Sequence, residues 1–192
     1  MPGNMKIPHP PVSVIIVNFN GKHYLKNCLS SLSAQSYPAT EVIFVDNGSS
    51  DGSIEYVRNE FQSVRIIESK KNLGFAKGNN LGIKEARGEL IATLNNDTQV
   101  SPRWLEELVG AMNSDELVGI CASKMLFMKD HGMINSTGIC LSRSGTCWDR
   151  GIFEPDAGQY GSMEEVFGPC AGAALYQKSM LEETGLFDEY FI

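Results

Sequence analysis

Polar side chains that could bind a cation or a nucleotide follow three apolar runs of this sequence. They are acids and amides, namely Asn18 and Asn20, then Asp46 and Asn47, then Asn95, Asn96 and Asp97. A carboxylate flanked by amide oxygens suits a hard cation such as Mg²⁺ or Mn²⁺, which takes one or two carboxylates and fills its other positions with water and phosphate oxygens. An acid such as Asp46 could also accept hydrogen bonds from a base or a ribose. Taken alone, an acid after a strand is more often a turn or helix cap, so that structural interpretation stays open.

Several other chemistries lack the residue spacing that they need. No GxxxxGK[ST] loop is present, and no GxGxxG turn follows the first apolar run, so neither common nucleotide-binding signature applies. The five cysteines show no zinc-ligand spacing, and free thiols in a reducing compartment are the simplest interpretation. The three histidines have no partners at catalytic spacing. We assign the two tryptophans to packing, with sugar stacking on Trp148 as the alternative.

Composition narrows the class of protein further. The chain has 192 residues, of which 42% are hydrophobic and 20% charged, as in an ordinary soluble globular domain. Its formal net charge of −7 argues against a nucleic-acid binder that grips phosphates over a broad surface. No stretch approaches the roughly 18 apolar residues of a membrane span. These features predict a cytoplasmic protein.

The polar groups lie at the ends of predicted strands. Apolar, β-branched runs predict strands at Val12–Phe19, Glu41–Asp46, Val64–Glu68, Glu89–Leu94 and Val118–Ala122, with helical periodicity between them. This alternation, at roughly 25-residue spacing, is typical of βαβ units. It predicts an α/β fold with a mostly parallel, doubly wound sheet and helices on both faces. Ligands of such sheets bind at the carboxyl ends of the strands, where these acids and amides fall.

The predicted helix ends rest on capping residues. Ser101 and Pro102 are expected to begin one helix as N-cap and first residue, and Gly88 to follow the end of another. Ser179 and Glu182 form a capping box for a short helix that ends at Gly185.

Three segments follow from this pattern. Residues 1–11, with four prolines, are expected to form a flexible leader, and residues 12–122 the α/β half. In residues 123–192 the periodicity gives way to hairpins, loops and the small-residue stretch Gly168–Ala174, where a ligand or another backbone could approach closely.

Taken together, five segments resemble the family 2 glycosyltransferases of the GT-A fold, a Rossmann-like fold. In chain order they are VSVIIVNFNG, EVIFVDNGSSDGS, NLGFAKGNNLGIKEARGELIATLNNDT, GPCAGAALY and GLFDEYF. The resemblance points to the rhamnosyltransferase-like branch and runs from about Val12 to Ile192. It implies a hexosyltransferase-type enzyme that uses a nucleoside-diphosphate sugar as donor.

The resemblance also assigns roles to individual residues. The implied nucleotide-sugar-binding positions are Val17, Asn18, Phe19, Asn20, Asp46, Gly74, Lys77, Asn79, Asn95 and Asn96. The family's DxD motif aligns with Asn95-Asn96-Asp97, so its first Asp is replaced by Asn95, and Asp97 remains as the ligand for Mg²⁺ or Mn²⁺. Structural interpretations stay open, with Lys77 as a surface lysine, Asn79 as a solvated or cap-forming residue, and Asp51 as an acid at a helix N-terminus.

The resemblance gives less detail about the residues that would contact the acceptor. Gly172, Asp188 and Glu189 fall on that side. The resemblance implies a glycan or lipid-linked acceptor in cell-surface polysaccharide synthesis. The protein would then work in the cytoplasm, either free or peripherally associated with the inner face of the membrane.

The catalytic base is expected outside this sequence. Inverting transfer needs a general base to take the proton of the acceptor hydroxyl. In the resembling family that base belongs to a Glu-Asp motif, which would fall beyond Ile192, so the chain is expected to be truncated. We therefore expect nucleotide and metal binding but poor sugar transfer from these 192 residues.

Two other functions remain as alternatives. The first is a non-catalytic nucleotide-sugar-binding module or an inactive fragment, which Asn95 favours. The second is a sugar nucleotidyltransferase, which would need a Gly-rich basic loop after the first strand, where Asn20-Gly21-Lys22-His23 is a poor substitute.

Overall fold

Strands and helices alternate through the first half of the chain, and hairpins follow in the second. The computed structural model describes residues 9–190. The first half contains β1 (Val12–Asn18), α1 (Lys22–Ser33), β2 (Glu41–Asp46), α2 (Ser53–Glu60), β3 (Arg65–Glu68), α3 (Gly74–Glu85), β4 (Leu90–Asn95) and α4 (Trp104–Met112). The second contains β5 (Ile120–Ala122), β6 (Met125–Phe127), β7 (Asp130–Ser136), β8 (Ile139–Leu141), β9 (Cys147–Asp149), β10 (Ala173–Gln177) and α5 (Lys178–Thr184).

The central sheet has six strands in the order β3-β2-β1-β4-β10-β5. β1 pairs in parallel with both β2 and β4, and β3 pairs in parallel with β2. β10 runs antiparallel to β4 and to β5 and separates these two strands. The predicted mostly parallel α/β sheet is therefore confirmed, but the predicted fifth strand does not extend the parallel ladder.

The helices cover both faces of the sheet, as the sequence predicts. Along β1, Val12, Val14 and Ile16 point into one core, which α1, α2 and α4 complete. Ile15 points to the other face, where α3 and α5 pack. Because successive side chains of a strand alternate between faces, a run that is apolar at every position needs a cover on each side.

Two glycines allow α3 to lie close to the sheet. A Cβ atom added at Gly82 would come within 2.5 Å of Ile15 Cγ2, and one at Gly78 within 2.7 Å of Val17 Cγ1. A larger residue at either position would push the helix away from β1. The same approach brings the start of α3 to the strand ends.

Three of the predicted helix ends are wrong. α4 begins at Trp104 rather than after Ser101, and the Leu105 amide donates to the Gln35 side chain (3.0 Å), so a residue just beyond α1 caps this helix. α3 ends at Glu85, and the Gly88 amide instead donates to Ser13 Oγ (2.8 Å). α5 has no capping box, since it follows β10 directly, but it ends before Gly185 as predicted. In the first two cases a contact distant in sequence decided the helix boundary.

The remaining strands form two short hairpins, β6 with β7 and β8 with β9. Residues 1–8 of the predicted leader lie outside the described residues. Its last residues contact the fold, because the Tyr37 hydroxyl donates to the Pro10 carbonyl (2.6 Å) and the Leu90 amide donates to the Pro11 carbonyl (3.1 Å). Within residues 9–190, no helix has the length and apolar character needed to cross a membrane.

Candidate functional site

The carboxyl ends of β1, β2 and β4 lie side by side. In the sheet register Asn18 is opposite Asp46, and Val17 is opposite Asn95. The polar residues that follow these strands therefore meet at one edge of the sheet, as the sequence predicts.

Asn18 links all three strand ends through its side-chain amide. Its Nδ2 donates to Asp46 Oδ1 (3.1 Å) and to Ser49 Oγ (3.0 Å), and its Oδ1 accepts from Asn96 Nδ2 (2.6 Å). Asn18 is fully buried. Both protons of its side-chain amide are donated to Asp46 and Ser49, so the side chain positions its neighbours. The predicted contact between Asn18 and a nucleotide stays a prediction.

Asp46 is buried with both carboxylate oxygens satisfied. Oδ1 accepts from Asn18, and Oδ2 accepts from the Ser49 amide (2.8 Å). A buried carboxylate is tolerated only when donors replace its lost water, and these two donors do so. The predicted hydrogen bond from a base to the Asp46 carboxylate stays a prediction. The Asp46 side chain has no exposed surface in this structure.

Phe19 and Asn20 form the accessible rim of this edge. The Phe19 side chain is 49% exposed, so an aromatic face is presented beside the strand end. Asn20 has φ of 52°, a left-handed conformation that asparagine adopts more readily than most residues. Its Oδ1 accepts from the Ser50 amide (2.8 Å), which ties the β1–α1 loop to the β2–α2 loop.

Asp51 adds a second tie between these loops. Its Oδ2 accepts from the Lys22 amide (2.8 Å) at the start of α1, and its Oδ1 accepts from the Ser53 amide (3.0 Å) at the start of α2. Burial raises the pKa of Asp51, but the hydrogen bonds from Ser53 and Lys22 outweigh it and lower the pKa overall. These contacts support the structural interpretation of Asp51.

The start of α3 meets this edge through Gly74 and Asn47. Gly74 has φ of 78°, which favours glycine, and its carbonyl accepts from Asn47 Nδ2 (3.1 Å). Asn47 is one of the polar residues predicted at the strand ends, but the sequence predicts no nucleotide contact for it. Asn79 is buried and donates within its own helix to the Phe75 carbonyl (3.0 Å). Lys77 is exposed, and among the described residues no hydrogen bond joins it to the strand-end cluster.

Asp97 is exposed at the end of β4, beside the half-buried Asn95 and Asn96. No group of three or more His, Cys, Asp or Glu side chains that could hold a metal ion occurs in residues 9–190. One carboxylate with neighbouring amide oxygens is a hard donor set, but an incomplete one. Such a set fits Mg²⁺ or Mn²⁺ if a diphosphate and water supply most of the ligands.

The predicted acceptor-side residues divide between two places. The Gly172 carbonyl accepts from the Asn95 amide (2.8 Å), so Gly172 lies next to the first residue of the Asn95-Asn96-Asp97 segment. Asp188 and Glu189 follow α5 and are anchored to α3. Asn80 accepts from the Phe187 amide (3.0 Å) and donates to the Phe187 carbonyl (2.8 Å) and to Glu189 Oε1 (3.1 Å).

A cavity of about 660 Å³, which the sequence did not predict, opens beside Asp97. Its walls come from the β4–α4 loop, the start of α4, the β6–β7 hairpin and the small-residue stretch at Cys170 and Ala173. Trp104 contributes to the wall, is largely buried and donates from its indole to Ser123 Oγ (2.8 Å). Trp148 does not line this cavity. The apolar run Met125–Met128 is the sequence feature that could have indicated this cavity.

Comparison with known proteins identifies related sequences. The family model described as Glycosyl transferase family 2 matches residues 13–185. An uncharacterized glycosyltransferase of Haemophilus influenzae is 27% identical over 152 residues, covering 77% of this chain and 46% of the relative. The O-antigen biosynthesis protein RfbC of Myxococcus xanthus is 28% identical over 192 residues, covering 95% of this chain and 15% of the relative. Glycosyltransferase AglE of Haloferax volcanii is 33% identical over 117 residues, covering 57% of this chain and 38% of the relative. The chain thus spans less than half the length of these relatives.

Solved structures share the fold. The mannosyltransferase PcManGT from Pyrobaculum calidifontis, in complex with GDP-Man and Mn²⁺, has a TM-score of 0.66 at 20% identity, over 94% of this chain and 48% of that one. S. aureus TarS 1–349 in complex with UDP has a TM-score of 0.68 at 20% identity, over 94% of this chain and 51% of that one. At this identity the likeness concerns the fold.

Proposed function

Since this chain belongs to glycosyl transferase family 2, we propose that it contributes the donor half of a transferase that moves a sugar from a nucleoside diphosphate to an acceptor hydroxyl. The observation that carries the proposal is the position of Asp97. It is an exposed carboxylate at the end of β4, on the edge where the Asn18–Asp46 network orders the neighbouring loops. The edge combines an oxygen donor set, an aromatic rim and an adjoining cavity.

In this proposal the nucleotide lies across the ends of β1 and β2. Val17, Phe19 and Asn20 contact the base, with the Phe19 ring as its stacking surface, while Asn18 and Asp46 hold the floor beneath it. The start of α3 at Gly74 faces the same edge, and a helix N-terminus favours a negatively charged group such as phosphate. Lys77 and Asn79, which lie on α3, complete the proposed nucleotide contacts.

A divalent cation, Mg²⁺ or Mn²⁺, would be held by Asp97 with the amide oxygens of Asn95 and Asn96. When bound, it supplies Lewis-acid stabilisation of the diphosphate as the leaving group. With Asn95 where the family motif has Asp, the site has one negative charge fewer. We therefore propose that the cation binds weakly unless a nucleotide supplies further oxygen ligands.

The acceptor hydroxyl must lose a proton as it attacks, whichever sugar is transferred. In this proposal Asp188 and Glu189 lie on the acceptor side. The general base stays a prediction, namely an acid beyond Ile192. Inversion, the rhamnosyltransferase-like branch, and a glycan or lipid-linked acceptor also stay proposals. The O-antigen relative favours synthesis of a cell-surface polysaccharide.

A second candidate is a module that binds a nucleotide sugar without transferring it. The single carboxylate at the candidate cation site favours this alternative, since a weakly held metal stabilises a leaving diphosphate less. Measured transfer of a sugar to an acceptor would exclude this alternative.

Calorimetric titration with UDP, GDP and dTDP, with and without Mn²⁺, tests the proposal. We expect Mn²⁺ to tighten the binding of one of these nucleotides by about tenfold or more, since the cation bridges Asp97 and the diphosphate. Asp97→Ala should abolish that gain, and Asp115→Ala, an exposed acid after α4, should leave it unchanged. A gain that survives in Asp97→Ala would remove Asp97 from the site, and binding of none of the three nucleotides would contradict the proposed function.

A further inference from the structure

Asp97 lies in a tight turn, residues 95–98, that directly follows β4. Across this turn the Asn95 carbonyl accepts from the Thr98 amide (3.3 Å) and from the Thr98 hydroxyl (2.6 Å). The first distance is longer than usual for an amide donor, whereas the second is within the usual range for a hydroxyl donor. The Thr98 hydroxyl therefore closes the turn more strongly than the backbone does.

The first residue of the turn is held by two neighbouring segments. The Asn95 amide donates to the Gly172 carbonyl (2.8 Å), which directly precedes β10. The Cys28 thiol of α1 lies 3.6 Å from the Asn95 carbonyl and is a weak donor to it. Cys28 is fully buried, and burial raises its pKa to about 12, so the thiol keeps its proton. The Asn95 carbonyl is therefore a fixed acceptor for the Thr98 hydroxyl.

The second residue of the turn is bonded to another strand. Asn96 Nδ2 donates to Asn18 Oδ1 (2.6 Å), and Asn18 is fully buried at the end of β1. Gly21 leaves room for this contact, since a Cβ atom added there would clash with Asn96 Nδ2. Both sequence neighbours of Asp97 thus have hydrogen-bonded side chains.

The Asp97 side chain differs from those of its neighbours. It is exposed, and within residues 9–190 no hydrogen bond or ion pair fixes its carboxylate. The direction of this carboxylate therefore depends on the geometry of the turn. A cation site with one protein carboxylate is sensitive to that direction, because no second protein charge helps to position the ion.

We propose that Thr98 is a positioning residue for the cation site. Its hydroxyl fixes the turn of residues 95–98, and the turn holds the Asp97 carboxylate in the direction in which it meets a cation on the nucleoside diphosphate. Such an ordered turn lowers the entropy cost of ligand binding, because the carboxylate has less freedom to lose. This proposal rests on the proposed function, since it concerns the same cation site.

The first test needs no ligand. Backbone ¹⁵N relaxation measures the order of the Asn96 and Asp97 amides on the picosecond to nanosecond timescale. We expect order parameters of about 0.85 in the parent protein, a fall towards about 0.6 in Thr98→Val, and a return to the parent value in Thr98→Ser. Valine keeps the shape of threonine without its hydroxyl, and serine keeps the hydroxyl without the methyl group.

Thr184→Val is the matched control for this test. It removes a hydroxyl of α5 that donates to the Met180 carbonyl (2.9 Å), a bond of the same kind. The order of the Asn96 and Asp97 amides should not change in this variant. Equal order of these amides in the parent protein and in Thr98→Val would overturn the proposal.

The second test measures nucleotide affinity by calorimetry, with and without Mn²⁺. In Thr98→Val the gain in affinity from Mn²⁺ should fall at least about threefold, since the turn loses one hydrogen bond, and Thr98→Ser should restore it. The affinity without Mn²⁺ should stay unchanged. A loss that serine does not restore, or an equal loss with and without Mn²⁺, would overturn the proposal.

Failure of this proposal and failure of the proposed function give different results. If no nucleotide binds the parent protein, the proposed function is contradicted, while the relaxation measurement still decides whether Thr98 orders the turn. If a nucleotide binds more tightly with Mn²⁺ in both the parent protein and Thr98→Val, the proposed function stands and Thr98 has no positioning role.

Discussion

At the residue scale, the side chains that organise the candidate site are distinct from those that a ligand can reach. Asn18 and Asp46 are fully buried and bonded to each other, whereas Phe19 and Asp97 are exposed at the same edge. A buried polar network holds its geometry because each member would lose a hydrogen bond on moving. The floor of the site is therefore ordered before any ligand binds.

Asp51 should make the stability of this edge depend on pH. Its pKa is lowered from 3.8, so the unfolded state takes up a proton more readily than the folded state. The stabilisation is present above the unfolded pKa and is lost as pH falls through the lowered value. In urea unfolding, we expect Asp51→Asn to lose less stability between pH 6 and about pH 3 than the parent chain does. Asp130→Asn, an exposed hairpin acid, serves as control, and equal losses in parent and Asp51→Asn would contradict the expectation.

At the element scale, α3 connects the nucleotide edge to the end of the described chain. Its small residues allow close approach to β1, its first residue contacts Asn47, and Asn80 on the same helix holds the segment after α5. A shift of this one helix would therefore disturb the donor and acceptor sides together.

Gly82→Ala should destabilise the protein. The added methyl group would lie 2.5 Å from Ile15 Cγ2, and a β-branched side chain in a full core cannot turn away freely. We expect a loss of about 1–3 kcal/mol in urea unfolding. Gly110→Ala is the matched control, because that position in α4 has no atom within 4 Å of the added carbon. The control should gain up to about 1 kcal/mol from helix propensity, so the two changes should have opposite signs.

Removing the Asn80 amide should release the segment that carries Asp188 and Glu189. Asn80→Ala leaves the Phe187 amide and carbonyl without their side-chain partner. Hydrogen exchange of the Phe187 amide should accelerate by at least about tenfold, since one lost hydrogen bond at a partly buried group costs on the order of 1–3 kcal/mol. Asn79→Ala, which removes a bond within the helix, should leave that amide unchanged. Unchanged exchange in Asn80→Ala would show that other contacts hold the segment.

At the scale of the whole molecule, the apolar core is concentrated on the six-stranded sheet. Both hydrophobic clusters are centred on its strands, with α1, α2 and α4 completing one and α3 and α5 the other. In the β6–β9 hairpins Ile134 is the fully buried large side chain, and several apolar residues there are exposed. The cavity beside Asp97 lies between a well-packed layer and a sparsely packed one.

This difference should appear as two levels of local stability. We expect the amides of β1, β2 and β4 to exchange only on global unfolding, and those of β6 to β9 to exchange at least about a hundredfold faster through local opening. Hydrogen exchange followed by mass spectrometry resolves the two groups of peptides. Matching rates for the two groups would show that the hairpins are part of the same cooperative unit.

The sequence by itself determined the strands of the parallel sheet and the edge at which the polar residues meet. Apolar periodicity sets β1, β2 and β4, and the parallel register then brings Asn18, Asp46 and Asn95 together, because strand ends of βαβ units converge. Tertiary structure alone decided the insertion of β10, the capping of α4 by Gln35, the burial of Asp46 and the cavity walls. Each of these depends on contacts between segments far apart in the chain, which local propensity and spacing do not encode.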